Sequence, residues 1–555
     1  MPDARKRLLA VCAVFTLSAI SALWMLSART LDSHECFVSV AAREMLETGD
    51  WVFPKLNGQP RINKTPLSYW LVAASAAITG TVDEFTARLP SALFAFFSAV
   101  VILYFVNRWL GFRIAVMCTA VWATSLSYIR GSHSARPDMA LTFFVMLCFF
   151  CFYSAATAPT RRTQVLYMLV FWISLGLGNL AKGPAPLPYV FIPLLVYIVV
   201  LRKWSLIGKL LPVAGPAVLL AIALPWPLAV AHRLNWDILL WKQEFLDRLV
   251  GSYARGNYPI YYYSGMIFKY VTPWIAFLPM ALIAPFYNTW GKKQAVMKFL
   301  WLWFVAGLVF LTINAGKRQH YLMPLMPAMA VLVGIVLEDM IFTNEVYSRR
   351  FAKNILIAHV VFLTAAAILA PIYVAYAFPN VTVPMAALCA IVIVSLVSVA
   401  ALFFKKKAVI ACSVLFCGIV VWTMVMFAGF SDVADVDRPA RDFAEKISRI
   451  VPNSNKLVAY NYISARFVQY FGKVVPVIED KSLLYERYRQ GDWVVCVSGY
   501  LQELASDERF RKVYCSELLE GAKQDTAGAL FHRTAAILEG HQANNLNADS
   551  GPPDR

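Results

Sequence analysis

The sequence predicts an α-helical polytopic membrane protein with about thirteen transmembrane helices and a small C-terminal α/β domain outside the cytoplasm. Three observations carry this. Of 555 residues, 59% are hydrophobic and 15% are charged, whereas a soluble domain is roughly 45–50% apolar and about 25% charged. The apolar excess is gathered into runs of roughly 20 residues, the length that crosses a hydrocarbon core of about 30 Å. Basic residues recur in alternate loops between these runs, and the chain turns polar after residue 430.

Candidate spans lie near 8–27, 89–107, 111–128, 138–157, 164–181, 184–201 and 208–231, then near 268–289, 296–315, 321–341, 354–378, 382–404 and 408–430. So many consecutive runs exclude the buried helices of a soluble protein. The segment 67–82 is apolar but short. Basic loops decide its reading. Place Arg5, Lys6 and Arg7 in the cytoplasm and keep 67–82 from crossing. Six loops then carry their cations inside: Arg108 and Arg113; Arg161 and Arg162; Arg202, Lys203 and Lys209; Lys292, Lys293 and Lys298; Arg349, Arg350 and Lys353; Lys405, Lys406 and Lys407. A crossing at 67–82 inverts all six, so this segment reads as a juxtamembrane or re-entrant helix. The first span resembles a signal peptide in its basic start, but its apolar run is long for one and reads as a retained anchor.

The net charge of +18 is explained by this loop distribution, and nucleic acid is not an expected partner. Most of the ten cysteines, such as Cys12, Cys118, Cys148 and Cys389, lie in apolar runs and read as packing residues. An odd number of spans places residues 431–540 outside. There RPARDFAEKISRIV (438–451) has helical periodicity, and 456–463, 473–478 and 492–500 read as strands. Cys496 and Cys515 face an oxidising compartment, where their pairing is left open. Residues 541–555 are expected to be disordered.

The outer loops gather the ionisable groups, which at a membrane boundary mark functional sites. Loop 28–66 holds Asp32, His34, Glu35, Arg43, Glu44, Asp50, Arg61 and Lys64. Loop 129–138 ends on Asp138 at the head of a span, and Lys182 closes another span. Loop 232–267 holds Glu244, Asp247, Arg248 and the run Tyr261, Tyr262, Tyr263. Loop 316–320 carries Lys317 and Arg318 just before Tyr321, against the positive-inside trend. Cations at the outer surface suit a phosphate-bearing lipid. Carboxylates among them suit proton acceptance from an acceptor hydroxyl, or a divalent metal. No ligand-spaced cluster supports a metal, so no cofactor is assigned. The blander readings stand beside these. Lysines 64, 182 and 317 snorkel to headgroups in the alternative, though their outer position favours phosphate. Asp138 either caps its helix or acts chemically. The tyrosine run fits an interfacial belt. His133 and His320 read as hydrogen-bonding loop residues, and His359 as a packing residue.

Specific strings carry a family resemblance. HECFVSVAAREMLETGDWVFPKLNGQPRINKTPLSYW (34–70) resembles the opening of the polyprenyl-linked sugar transferases of the aminoarabinose transferase type, which share a membrane fold, GT-C, with the protein O-mannosyltransferases. The matching residues are Glu35, Arg43, Glu44, Met45, Gly49, Asp50, Trp51, Pro54, Lys64, Pro66, Tyr69 and Trp70. DEFTARLPSALFA (83–95), ARPDMALTFF (135–144), LAKGPAPLP (180–188), LPWPLAV (224–230), EFLDRL (244–249) and GKRQHYLMPLMPAMAVL (316–332) are similar to the same family in order and spacing.

The resemblance implies a glycosyltransferase that takes a sugar from a polyprenyl (undecaprenyl) phosphate carrier. The implied acceptor is lipid A or another envelope glycan, and the implied setting is the inner membrane with the site on the periplasmic side. Glu35, Asp32 and Asp138 are the implied acids that activate the acceptor. Lys64, Lys182, Arg248, Lys317 and Arg318 would hold the carrier phosphate, with His34, Tyr261 and Tyr321 as further binding residues. The chain departs from the family at His34, where an Asp is usual, at Asn63, where Glu is common, and at Phe245, where His is common. The last two changes remove metal-ligand types. A protein O-mannosyltransferase is the alternative within the class. A polyprenyl-lipid transporter or flippase is the alternative outside it, disfavoured by the lack of an internal repeat and by polar residues gathered at one face.

Overall fold

The computed structural model describes residues 2–62, 64–235, 258–314, 316–377, 382–405, 407–430, 435, 437–452, 456–516 and 527–532. The chain divides into two compact units, one of residues 1–28, 62–81 and 85–433, the other of residues 29–61, 82–84 and 434–555.

Among the described residues of the first unit, six helices are long and apolar enough to cross a membrane: Ala4–Leu23, Glu84–Leu110, Asp138–Ala156, Arg161–Lys182, Lys293–Ile313 and Gln319–Thr343. Helices Arg349–Ala377, Thr382–Phe404 and Ala408–Phe430 follow, with 29, 23 and 23 residues. The chain is therefore a polytopic integral membrane protein. Helix Leu67–Thr79 has 13 residues, a length of about 20 Å, short of the roughly 30 Å core.

Three spans that the sequence predicts as unbroken are bent. Phe112–Ala123 and Leu126–Ser132 meet at 59°, and Ala214–Ala223 and Pro225–Arg233 at 42°. Tyr262–Val271 and Ile275–Phe286 turn through 118°, which overturns a straight span over 268–289. Each break has a local cause. Ser125 restarts a helix by accepting the backbone N–H of Tyr128. Pro225 opens a new first turn. Pro273 drives Thr272 out of the helical region, to φ −47° and ψ 134°.

Helix Asp138–Ala156 is buried along almost its whole length, the mark of a helix inside a bundle. Phe149 stacks on Trp303 with centroids 4.2 Å apart and planes 12° apart. Every residue of helix Met326–Glu338 is buried. At Gly334 a Cβ would lie 2.6 Å from the Cα of Cys118, so glycine permits the close approach of two backbones.

The second unit holds a five-stranded sheet in the order β4-β3-β5-β7-β6. The strands are β3 Leu457–Tyr460, β4 Val477–Ile478, β5 Trp493–Val497, β6 Lys512–Cys515 and β7 Gly528–Phe531, after a short hairpin of β1 Lys55–Leu56 and β2 Gln59–Pro60. β3 is parallel to β4 and β5; β7 is antiparallel to β5 and β6. Alternation sorts the side chains into two cores. Leu457, Ala459, Trp493, Val495 and Val497 pack with Phe443 and Ile447 of helix Arg438–Ile450 and Phe467 of helix Ala465–Phe471. Val458, Tyr460, Val494 and Cys496 pack with Leu484 of helix Lys481–Arg489 and Leu504 of helix Ser498–Ala505.

Cys496 and Cys515 do not pair, and both are free. Each lies opposite Ala529, so strand β7 stands between them. Two strand spacings, about 9.6 Å, exceed the roughly 7 Å limit between bridged Cα atoms. The unit boundary also differs from the sequence reading, which assigned loop 28–66 to the membrane domain. Residues 29–61 are tied to the C-terminal helices by polar contacts described below. The expected tail 541–555 lies outside the described residues.

Candidate active site

In the membrane unit, the candidate site grows from the first residue of one helix and the last residue of another. Pro137 occupies the N-cap of helix Asp138–Ala156 and makes no side-chain cap bond. Asp138 therefore sits in the first turn, where the helix dipole favours an anion, and its carboxylate caps nothing. It accepts a hydrogen bond from Nζ of Lys182, the final residue of helix Arg161–Lys182, in an ion pair. Lys182 also lies 5.1 Å from the ring centroid of Tyr321, a cation–π contact.

The neighbouring segments are pinned around this pair. The next residue, Gly183, donates its N–H to Oγ1 of Thr65 at 3.0 Å, so the Lys64–Pro66 turn docks against the end of the Lys182 helix. The Tyr189 hydroxyl donates to the carbonyl of Tyr321 at 2.6 Å. His320 meets the Tyr321 ring edge-on at 4.9 Å. Asp138 is electrostatically coupled to Lys182, His320 and Arg136. The Tyr263 hydroxyl faces both the N–H and the carbonyl of Arg318 at 3.4 Å. Lys317 is buried and donates from Nζ to the carbonyl of Tyr258 at 3.3 Å. The arrangement is one carboxylate among several cations, on helix ends and a clamped loop. Chemically, it can hold a phosphate beside a fixed acid.

Of the residues expected from sequence, this cluster brings together Asp138, Lys182, Tyr321 and, through His320, Arg318, with the Lys64 turn beside it; Lys317, in the same loop, turns its Nζ to the Tyr258 carbonyl. Tyr261 is 71% exposed and stands at the N-cap of its helix. The buried member of that run, Tyr263, is the one that holds the cationic loop. Sequence reasoning missed Tyr189, Tyr263 and Arg136. Arg136 adjoins Asp138 in the family-like string, which is the one signal that pointed to it. Arg248, Glu244, Phe245 and Asn63 lie outside the described residues. Among the described residues, no three His, Cys, Asp or Glu side chains group as metal ligands.

The second unit holds the acids of the first loop. Asp32 is the N-cap of helix Ser33–Thr48 and accepts from the backbone N–H of His34 at 2.7 Å and of Glu35 at 3.0 Å. Glu35 returns the bond, accepting from the N–H of Asp32 at 3.0 Å. The two form a capping box, a signal present in Asp32-Ser33-His34-Glu35 and not used in the sequence reading. His34 is exposed and meets the Phe37 ring edge-on. The guanidinium of Arg61 stacks 4.2 Å from the same ring.

The remaining family-like residues of this loop act as fasteners. Arg43 donates to the carbonyls of Val468 and Gln469, both at 2.9 Å, and burial lowers its pKa below the usual arginine value. Glu44 accepts from the N–H of Asn57 at 2.6 Å and of Gly58 at 3.0 Å, fixing the β1–β2 turn. Gly49 ends the helix in the left-handed region at φ 68°. Asp50 accepts from the N–H groups of Val52 and Phe53, both at 3.1 Å.

Residues 9–234 match the family model described as dolichyl-phosphate-mannose-protein mannosyltransferase. An undecaprenyl phosphate-α-4-amino-4-deoxy-L-arabinose arabinosyl transferase of Pseudomonas aeruginosa is 30% identical over 299 residues, 53% of each chain. One of Pseudomonas fluorescens is 30% identical over 324 residues, 57% of this chain and 53% of the relative. The chain thus spans about half the length of the curated relatives it matches. Two crystal structures of ArnT from Cupriavidus metallidurans superpose over nearly the whole chain. The apo form has a TM-score of 0.80 at 19% identity, covering 97% of this chain and 99% of that one. The form bound to undecaprenyl phosphate has a TM-score of 0.78 at 20% identity, covering 95% and 98%. The chain thus has the fold seen in ArnT of Cupriavidus metallidurans and resembles the aminoarabinose transferases in sequence over about half its length.

Proposed function

We propose that the chain is a glycosyltransferase of the inner membrane that moves a sugar from a polyprenyl phosphate onto an extracytoplasmic acceptor, lipid A or another envelope glycan. The observation that carries this reading is the Asp138–Lys182 pair beside Tyr321 and the Lys317–Arg318 loop. A single displacement at the anomeric carbon fits it. The acceptor oxygen attacks, the bond from that carbon to the carrier phosphate breaks, and the phosphate departs with added negative charge. Cations already fixed where that charge develops lower the barrier without reorganising. Lys182, held by Asp138, takes this part together with Lys317, Arg318 and Lys64; Arg248, outside the described residues, is a further candidate that the family resemblance implies. A hydroxyl acceptor must also lose its proton. Asp138 accepts the proton if Lys182 turns to the phosphate; Glu35 and Asp32 are the other candidate bases that the family resemblance implies. His34 and Tyr321 contact the sugar or carrier.

About thirteen spans, a cytoplasmic N-terminus and a C-terminal α/β domain in the periplasm complete the proposal, supported by the cation asymmetry of the loops. The family model matched by residues 9–234 favours a second acceptor class, a protein hydroxyl. One experiment separates these. Envelope glycans, lipid A and surface proteins are compared by mass spectrometry in wild-type cells, a deletion strain, and strains carrying Asp138→Asn or Lys182→Gln at matched protein levels. A sugar mass lost on deletion and not restored by the variants identifies the acceptor and supports the site. If deletion changes no glycan or glycoprotein, the transfer reading fails and lipid transport takes its place.

A further inference from the structure

The C-terminal unit offers a feature separate from the Asp138–Lys182 cluster. Strand β3 continues into helix Ala465–Phe471, whose Phe467 packs on one face of the sheet. Strand β5, parallel to β3 and adjacent to it, continues into helix Ser498–Ala505, whose Leu504 packs on the other face. The first connection leads outward to β4, the second toward β6 and β7. Neighbouring parallel strands whose connections part in this way leave a crevice at their carboxyl ends, where open α/β sheets bind ligands.

Aromatic and hydrogen-bonding residues follow the carboxyl ends of these two strands: Asn461 and Tyr462 after β3, Tyr500 and Glu503 after β5. Tyr462 is 46% and Tyr500 39% exposed. Asn461 holds a left-handed conformation at φ 58°, and the N–H of Tyr462 donates back to the carbonyl of Tyr460 at 2.7 Å. This tight turn fixes where the Tyr462 side chain leaves the sheet edge. Tyr460, buried beneath, meets the Tyr500 ring edge-on at 6.4 Å and donates its hydroxyl to Glu503, which is exposed. Rigid aryl faces ringed by an amide, a carboxylate and phenol hydroxyls complement a sugar ring, which offers a C–H face and a rim of hydroxyls. A peptide partner of comparable affinity requires a buried apolar anchor, and the described lining supplies none.

We propose that this crevice binds a pyranose unit of a glycan. The test uses the full chain in lipid nanodiscs, free of sugar-headed detergent, with saturation-transfer NMR on the methyl glycosides of glucose, mannose and N-acetylglucosamine. Wild-type protein is expected to saturate the ring protons of at least one of them. The pair Tyr462→Ala and Tyr500→Ala is expected to weaken binding about tenfold, given two ring contacts. Both rings are exposed, so the melting temperature should hold. The pair Tyr462→Leu and Tyr500→Leu, which keeps apolar bulk without the rings, should show the same loss. Asp138→Asn should leave this binding intact. Absence of saturation for all three sugars in wild type, survival of the signal in both tyrosine pairs, or its loss in Asp138→Asn would overturn the proposal. The last result would assign the sugar to the membrane unit instead.

Discussion

Replacing Asp138 by Asn keeps the side chain's shape and removes the charge that faces Lys182. The two side chains are 9% and 20% exposed. Stripping one partner from a buried pair costs about 3–5 kcal/mol, because the other charge is left stranded. Lys182 keeps some solvent and the Tyr321 ring, which hold the cost near the lower end, about 3 kcal/mol. If the pair exists to aim Lys182 at a departing phosphate, the loss appears in catalysis. Removing one preorganised donor lowers turnover by roughly 10²–10³. The expected result is a fall of that size in kcat/KM for sugar transfer, measured in proteoliposomes with a polyprenyl-phosphate sugar donor. Lys182→Gln should fall similarly, and the double variant should be no worse than the poorer single, since the two act as a unit. Multiplying effects, or more than half the activity surviving in Asp138→Asn with normal expression and melting, would refute the reasoning.

Three further expectations follow from named contacts. Tyr263→Phe removes a hydroxyl that holds both backbone groups of Arg318 through long 3.4 Å bonds; donor KM should rise about two- to fivefold, for about 0.5–1 kcal/mol, while Tyr261→Phe leaves KM unchanged in the same assay. Asp32→Ala breaks the capping box and should cost about 1 kcal/mol in thermal unfolding, whereas Asp32→Asn keeps a good N-cap and the wild-type melt; activity lost in Asp32→Asn without loss of stability assigns its charge a chemical part, and retained activity removes Asp32 from the candidate bases. Gly334→Ala puts a Cβ 2.6 Å from the Cα of Cys118 and should destabilise the membrane unit by about 1–3 kcal/mol, seen as a lower melting temperature in detergent.

The sequence made the long apolar helices legible, because composition and length alone decide whether a segment can span. It did not disclose the breaks. Ser125, Pro225 and Pro273 sit inside runs whose mean hydropathy is unbroken, and a local cap or a missing N–H bends the chain there. The Asp138–Lys182 pair joins residues 44 positions apart, a contact set by how two helices pack and invisible to spacing. The capping role of Asp32 and Glu35 is legible in four consecutive residues, Asp32-Ser33-His34-Glu35. The choice among Tyr261, Tyr262 and Tyr263 depended on helix phase, which places Tyr263 in the interior and Tyr261 in the open. In the C-terminal unit, the helix at 438–451 carried clear periodicity, while the strand readings near 456–463, 473–478 and 492–500 each hold a shorter strand, β3, β4 and β5, with residues 498–500 already in a helix. Strands β6 and β7 were not legible, since KVYC and GALF are short and weakly patterned.

The structure also separates what the family-like strings of the first loop are for. Arg43, Glu44, Gly49 and Asp50 form the most recognisable part of the resemblance, and each satisfies backbone groups or ends a helix. Such residues are required by any chain that folds this loop, whatever sugar it carries. Shared identity at these positions therefore speaks for the fold and is silent on the substrate. Substrate choice must depend on side chains that touch the sugar, and a specific sugar is selected by hydrogen bonds that a competitor leaves unmade. By the family resemblance, Asn63 stands where Glu is common and Phe245 where His is common, changes from ionisable to neutral groups at two positions outside the described residues. A sugar bearing an amine loses a counter-charge when a carboxylate becomes an amide, at a cost that a neutral sugar does not feel. The proposed transferase should accordingly discriminate less strongly for a cationic sugar than its relatives do, and Asn63→Glu should shift its preference toward an amino sugar donor. Unchanged donor selectivity in that variant, at unchanged turnover, would place the determinant elsewhere in the chain.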